Sequence, residues 1–287
     1  MTNLNESYFL NTKCGIGAMF LVIGCFHVLN RVIGYFFIPI FIRSKGKDEI
    51  WKWCNLLMSW VHALIVGSWD LLCFYYYPEL TDDLVDFKNS FCYYLIVFST
   101  GYFLYDFADM IYNKKVLKMW ELTLHHLAVI STFLYNLCTM TCVGYNVVAL
   151  LCEVNSFFLH SRKLLQLYHV PFRHVGYRCV AVVNLITFAI FRGIALVTIT
   201  YGMYVEEKLN DRFYFICLCI SMTIMNLLNP ILFWIILKND FLRQFKKPKH
   251  IGNGKIVSNG VQNSHLPTQE NSDQPNDFED VDEMKIE

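Results

Sequence analysis

The sequence lacks net charge, because 24 lysine and arginine residues balance 24 aspartate and glutamate residues in a chain of 287 residues. Nucleic-acid binding needs a basic surplus on at least one face, so we expect no nucleic-acid partner. A glycine-rich phosphate loop, a Gly-x-Ser-x-Gly turn and a protein-kinase signature are also missing. No short motif therefore indicates a nucleotide-dependent enzyme or a serine hydrolase, and we expect no cofactor.

Paired cysteines and metal-binding motifs are lacking too. Eleven cysteines are present, but most of them lie singly inside apolar runs, where cysteine behaves as a small buried hydrophobe. The adjacent histidines His125 and His126 diverge on a helix, and no His-x-x-x-His pair supports them. The sequence therefore predicts neither a disulfide scaffold nor a metal site.

Apolar residues dominate what is present. Hydrophobic residues make up 55% of the chain and aromatic residues 16%, and the mean hydropathy is positive. A helix needs about 20 apolar residues to cross a bilayer. Runs of suitable length cover residues 15–42, 54–77, 90–112, 120–140, 143–160, 180–204 and 213–237. We therefore predict an all-α polytopic membrane protein with about seven transmembrane helices, of which the fifth is the shortest.

Lysine and arginine alternate between the connections of the seven spans and so predict the orientation. Basic residues are frequent after the first, third and fifth spans, at Arg43, Lys45, Lys47, Lys52, Lys114, Lys115, Lys118, Arg162, Lys163, Arg173 and Arg178. Basic flanks stay in the cytoplasm, so residues 1–14 are predicted to be extracytoplasmic. The sequon at Asn5 is then a candidate for glycosylation.

The C-terminal segment, residues 251–287, differs from the rest of the chain in being polar and then acidic. It cannot bury enough apolar surface to fold, so we predict a disordered cytosolic tail. No repeat and no second folded domain is visible in the sequence.

Ionisable residues inside the spans are the functional candidates, because each is costly unless it pairs or faces water. By helical rise, Asp106 and Asp109 in the third span lie at a depth similar to that of His125 and His126 in the fourth. A short loop makes these spans antiparallel neighbours, so an Asp to His hydrogen bond can form. The histidines point about 100° apart. The cluster is either an interhelical clasp or an oriented base or nucleophile beside a cavity, and both interpretations remain open.

A second pair of charges lies farther along the chain. Glu153 interrupts the fifth span, and Arg192 lies near the middle of the sixth. An ion pair would neutralise both charges inside the membrane, so we predict a structural pair between them.

Three stretches in a fixed order resemble the TLC-domain family, named for TRAM, Lag and CLN proteins. They read GYFLYDFADMIYN, WELTLHHLAVIST and LLCEVNSFFLHSRKLL. The similarity covers residues 48–245, and within the family it is greatest to TLC domain-containing proteins one and two. The resemblance implies a six-helix barrel, formed by spans two to seven around a lipid-accessible cavity, with residues 15–42 as an accessory transmembrane helix outside it.

The resemblance also bears on catalysis. Ceramide synthases of this family use the histidine pair for acyl transfer from acyl-coenzyme A, a role that would fall to His125 and His126. They also carry a His-Asp-x-x-Asp pattern on the next helix. Here the corresponding stretch, residues 152–156, reads CEVNS and lacks the histidine and the second aspartate. We therefore assign no catalytic residue.

The more similar relatives imply a different role. They are plasma-membrane proteins that restrain the incorporation of polyunsaturated, fluidising acyl chains into phospholipids. We accordingly expect a regulator of phospholipid composition and membrane fluidity that binds phospholipid or fatty acyl chains in its cavity. An acyl-coenzyme A-dependent acyltransferase, a seven-span receptor and a location in the endoplasmic reticulum are the alternatives. No protein partner is indicated.

Overall fold

The structure, a computed structural model, describes residues 11–205 and 212–242, and every regular element within them is helical. The first half contains α1 (Thr12–Phe36), α2 (Ile40–Arg43), α3 (Lys47–Tyr76), α4 (Ser90–Tyr112) and α5 (Trp120–Thr139). The second half contains α6 (Val143–Leu150), α7 (Cys152–Leu167), α8 (Val175–Thr187), α9 (Gly193–Val205) and α10 (Arg212–Leu237). The predicted all-α class is confirmed.

Helices occupy all seven predicted spans, and within the described residues five helical segments are long and apolar enough to cross a membrane. These five are Thr12–Phe36, Lys47–Tyr76, Val143–Leu167, Val175–Val205 and Arg212–Asp240. The other two predicted spans are α4 and α5, which have 23 and 20 residues but contain the intramembrane aspartates and histidines. The chain is thus a multi-pass membrane protein.

Several expectations concern residues outside the described ranges. They are the glycosylation candidate Asn5, most of the predicted N-terminal segment 1–14, and the predicted tail 251–287. The fold does not test the orientation of the N-terminus, which therefore stays a prediction.

The first predicted span, residues 15–42, is divided in the structure. Helix α1 ends at Phe36, and α2 begins only at Ile40. Pro39 lies in the break, and proline has no backbone N–H with which to continue the α1 hydrogen-bond ladder. Helix α1 packs on α3 and α4. At Gly101 of α4 a Cβ atom would lie 2.9 Å from the Met19 carbonyl oxygen, so glycine permits this close approach.

Six helical units form a closed ring, in the order α3, α4, α5, α10, α9 with α8, and α7. Consecutive members contact each other, the last returns to α3, and α1 lies outside the ring. The fit is tight between α3 and α7, where a Cβ on Gly67 would lie 3.1 Å from the backbone of Val154. The predicted barrel of spans two to seven is therefore confirmed, with a cavity at its centre.

The fifth and sixth spans each contain an interruption of regular α-helix. The fifth span is longer than predicted, because α6 and α7 follow each other with a break only at Leu151. The sixth span begins earlier than predicted, at Val175, and contains a π-helical turn from Phe188 to Arg192. A π turn takes up extra backbone within a helix and so changes which side chains face the bundle interior. Arg192 is its last residue.

Candidate functional site

A hydrogen-bonded cluster joins α3, α4 and α5. The Nε2 atom of His126 lies 2.9 Å from Oδ2 of Asp106, and Asn55 donates to Oδ1 of the same carboxylate at 2.5 Å. The Nδ1 atom of His126 lies 2.8 Å from the carbonyl oxygen of Leu122, one turn earlier on α5. His126 and Asp106 are both almost completely buried. We call Asn55, Asp106 and His126 the clasp.

Proton counting explains why the clasp is tolerated within the bundle. Nδ1 of His126 faces a carbonyl oxygen, so it must carry a proton and donate it. Nε2 faces a carboxylate oxygen, so a second proton must lie between those two atoms. With that proton on either atom, the His126 and Asp106 pair has no net charge. A neutral, fully hydrogen-bonded pair avoids most of the cost of burying an isolated ion.

His125 points away from the clasp. Its Nδ1 atom lies 3.4 Å from the sulfur of Met225 on α10, a weak contact, and its ring is only partly buried. The adjacent rings of His125 and His126 are nearly perpendicular, at 86°. The side chain of His125 lines the central cavity. The two histidines therefore have different surroundings, as their predicted divergence on a helix requires.

Asp109 does not join the other three residues of the predicted cluster. Its Oδ2 atom accepts a hydrogen bond of 2.7 Å from Nε1 of Trp51, and Asn113 donates to its Oδ1 atom at 3.1 Å. It lines a separate groove between α1, α3 and α4, together with Arg31. Residues three apart on a helix diverge by about 60°, and this divergence is enough to place Asp109 outside the barrel cavity.

The predicted direct pairing of Glu153 with Arg192 is corrected by the structure. In the described chain, the carboxylate of Glu153 lies 3.5 Å from Nδ1 of His62. The guanidinium of Arg192 instead donates to neutral oxygens on Asn155, Ser156 and Asn229, at 2.7, 3.1 and 2.8 Å. The prediction of an ion pair was wrong because neutral amide and hydroxyl groups can also stabilise a buried charge. Such neutral partners cannot be found in a sequence by searching for residues of opposite charge.

The central cavity has two lobes. One lobe lies between α5, α6, α9 and α10 and is mainly apolar. Its walls include Phe133, Leu196, Ile199, Met203, Leu218 and Met222. The other lobe lies nearer the basic loops, and most of the residues that line it are polar or ionisable. It is lined by residues that include Asp106, Glu121, His126, His160 and Lys163. We call these the apolar lobe and the polar lobe.

The two lobes share one set of lining residues, which we call the junction. The junction comprises Phe103, His125, Glu153, Ser156, Arg192, Met225 and Asn229. These side chains come from α4, α5, α7, α10 and the π turn, and all of these elements except α4 place ionisable or hydrogen-bonding groups at one point of the cavity. An apolar tunnel with convergent polar groups at one end is the usual form of a site for an amphiphilic small molecule.

Sequence reasoning missed part of this site. Asn55 lies at the start of an apolar run, where an isolated amide gives no periodic signal. In the sequence Ser156 is recognisable only as a departure from a family pattern, whereas in the structure its hydroxyl accepts a hydrogen bond from Arg192. Within residues 11–205 and 212–242, no three His, Cys, Asp or Glu side chains are grouped so that they could hold a metal ion.

Comparison with known proteins places this geometry in context. The family model described as TLC domain matches residues 52–238. TLC domain-containing protein 2 of Danio rerio is 36% identical over 221 residues, which cover 77% of this chain and 88% of that protein. TLC domain-containing protein 1 of Gallus gallus is 31% identical, covering 73% and 81%. TLC domain-containing protein 2 of Homo sapiens is 30% identical, covering 80% and 86%. No solved structure matches the chain.

Proposed function

The chain belongs to the TLC-domain family of membrane proteins, and from this premise we propose that it binds an acyl chain of a membrane lipid in its central cavity. Through this binding it regulates the composition of membrane phospholipids. The observation that carries the proposal is the apolar lobe, a space within the barrel that is lined mainly by apolar residues and ends at a polar junction. Family membership by itself supports a role connected with membrane lipids.

The chemistry of the two lobes supports an amphiphilic ligand. A hydrocarbon chain is stabilised in the apolar lobe by contacts with Leu, Ile, Met and Phe side chains. The junction offers ionisable and hydrogen-bonding groups to the head of the same molecule. A wholly polar ligand would leave the apolar walls without complementary contacts, and a pure hydrocarbon would leave the spare hydrogen-bonding capacity of the junction unused.

In the cell, the proposed role is to restrain the incorporation of polyunsaturated, fluidising acyl chains into phospholipids of the plasma membrane. A protein that sequesters selected acyl chains lowers their concentration at the enzymes that esterify them. This mechanism requires binding and release, and it requires no bond to be made or broken by the protein itself.

The test fills the apolar lobe without disturbing the outer surface. Ile199 lines the lobe and is 7% exposed, whereas Val197 on the same helix faces outward and is 69% exposed. We expect Ile199→Trp to lose bound lipid after purification into nanodiscs and to fail in restoring phospholipid composition to cells that lack the protein. Val197→Trp is the matched control and should behave as the original chain does in both measurements.

Two results would count against this proposal. Equal lipid content in the Ile199→Trp and Val197→Trp proteins would mean that the lobe holds no chain. Full restoration of phospholipid composition by a folded Ile199→Trp protein would separate the cellular role from the cavity. Thermal stability of both variants, measured in the same nanodiscs, shows whether the tryptophan has simply unfolded the protein.

Acyl transfer is the second candidate, and the partly open surroundings of His125 favour it. Both ring nitrogens of His126 are occupied in the clasp, so His126 has no nitrogen available for attack on a thioester. His125 faces the cavity, and its Nδ1 atom has only a weak partner in Met225. If the protein transfers acyl groups, acylation after incubation with acyl-coenzyme A should be found by mass spectrometry on His125 and abolished by His125→Ala. Its absence with a broad panel of donors would reject this candidate.

A further inference from the structure

The charge at the junction is unusual for its position. Arg192 lies within a membrane-spanning segment, and its side chain is only partly buried because it borders both lobes. A cation at such a depth is costly unless it pairs or faces a polar cavity. The acceptors that the described structure gives it, on Asn155, Ser156 and Asn229, are all uncharged. They hold the guanidinium in place without cancelling its charge.

The donors of Arg192 are only partly used. A guanidinium has five N–H groups in a planar fork. The bonds to Asn155, Ser156 and Asn229 use one N–H each, from Nε, NH2 and NH1 respectively. Two N–H groups therefore have no acceptor among the described residues. Two N–H groups are the number that a carboxylate accepts in a bidentate pair, the geometry for which arginine is preferred over lysine.

We propose that Arg192 binds the carboxylate of a free fatty acid whose hydrocarbon chain occupies the apolar lobe. This inference rests on the proposed function, since it specifies which acyl lipid the cavity takes. Arg192 stands at the mouth of the lobe, and Met203 stands eleven residues farther along the same span. At a rise of about 1.5 Å per residue, the lobe wall between them is about 16 Å long, which suits a chain running along α9.

A single chain with a small head suits this position better than a diacyl phospholipid. The junction lies between the two lobes, and only the lobe beyond Arg192 has a majority of apolar residues in its lining. A second acyl chain that also lay inside the barrel would have to enter the polar lobe, beside Asp106, Lys163 and His126. Burying hydrocarbon against such groups would desolvate them without giving them new hydrogen bonds.

Glu153 allows a test of whether the bound group is negatively charged. It borders the same junction as Arg192 and carries the opposite charge, with His62 as its described partner. A bound carboxylate is attracted by Arg192 and repelled by Glu153. Removing each charge in turn must therefore change the affinity for a fatty acid in opposite directions, whereas a purely structural role for both residues predicts loss in both cases.

The experiment measures equilibrium binding of a radiolabelled 18-carbon fatty acid to the full chain in phosphatidylcholine nanodiscs, with empty nanodiscs as background. Its methyl ester, the matching alcohol and an 18-carbon lysophosphatidic acid are the competing ligands. We expect the acid to bind at least about tenfold more tightly than the ester or the alcohol, which is the scale of one charge-assisted pair. This comparison needs no variant and so does not depend on folding.

The variants then assign the effect to its residue. Arg192→Gln should remove the preference for the acid while leaving binding of the alcohol unchanged, and Glu153→Gln should tighten binding of the acid. Arg192→Lys keeps the charge but loses the planar fork, so its preference should fall between those of the original chain and Arg192→Gln. If Arg192→Gln fails to fold, the lysine variant and the ligand comparison still decide the question.

The outcomes separate this inference from the proposed function. Equal binding of acid, ester and alcohol would overturn the carboxylate site but leave acyl-chain binding intact. Tighter, Arg192-dependent binding of lysophosphatidic acid would replace the carboxylate by a phosphate and so overturn the assignment. Absence of binding by every ligand would overturn both. Weaker binding of the acid in both the Arg192→Gln and Glu153→Gln proteins would mean that these residues act only on the structure.

Discussion

The clasp and the junction lie side by side in the barrel, and both border the polar lobe, yet they differ in how completely their polar atoms are paired. In the clasp, both ring nitrogens of His126 and both carboxylate oxygens of Asp106 have partners within 2.9 Å. In the junction, His125 has a weak contact to a sulfur atom, and Arg192 retains donors beyond those used by its neutral neighbours. Paired groups hold helices together, whereas groups with spare hydrogen-bonding capacity in a cavity are available to a ligand.

The largest expected effect comes from breaking the clasp. Asp106→Ala leaves His126 and Asn55 buried without their shared acceptor, which should lower the free energy of unfolding by about 3 to 5 kcal/mol. Asp109→Ala is the matched control on the same helix. Asp109 is only partly buried and has two neutral partners, so its loss should cost about 1 kcal/mol. Denaturation in nanodiscs measures both, and equal losses would contradict the distinction between the two aspartates.

The two histidines should also contribute unequally to the free energy of unfolding, but their contributions should differ by less than those of the two aspartates. His126→Ala leaves Asp106 with Asn55 alone and should cost about 2 to 4 kcal/mol. His125→Ala removes one weak contact to Met225 and should cost less than about 1 kcal/mol. Lipid content of the folded His125→Ala protein should nevertheless change, because its side chain borders both lobes. A protein destabilised more by His125→Ala than by His126→Ala would reverse the comparison.

The smallest expected effect is the coupling free energy between Arg192 and its hydrogen-bond partners. The unfolding losses from Arg192→Gln and Asn229→Leu should be non-additive by about 1 kcal/mol, because the two side chains share a hydrogen bond of 2.8 Å. The coupling between Arg192→Gln and Glu153→Gln should be smaller, because these residues do not touch in the described structure. Double-mutant cycles by chemical denaturation give both values. A larger coupling with Glu153 would restore the direct ion pair that the sequence predicts.

The fold was largely predictable from the sequence, because bilayer thickness imposes long apolar runs that are visible without any alignment. The division at Pro39 follows from the missing N–H of proline, although the run of apolar residues on both sides of it concealed the break. The π turn that ends at Arg192 was not predictable, since the residues from Phe188 to Arg192 have the sequence of an ordinary helix. Its register depends on packing within the ring.

Contacts within the site were predictable only between charged or ionisable residues that lie close together along the chain. The meeting of Asp106 and His126 followed from a short loop and equal depth, and the structure places them 2.9 Å apart. Asp109 was grouped with them because it lies three residues from Asp106, but Trp51 and Asn113 hold it elsewhere. Neutral side chains that stabilise a cation are too common in helices to be identified from sequence.

The most direct test of the account locates the bound chain itself. A fatty acid with a diazirine at its methyl end, photolysed in the nanodisc-bound protein, should crosslink to residues at the far end of the apolar lobe, namely Met203, Tyr214 and Leu218. Mass spectrometry of the labelled peptides identifies the sites, and unlabelled fatty acid should compete. Labelling confined to outward-facing Val197 and Tyr201, or labelling at the far end that Ile199→Trp leaves unchanged, would contradict a chain held inside the barrel.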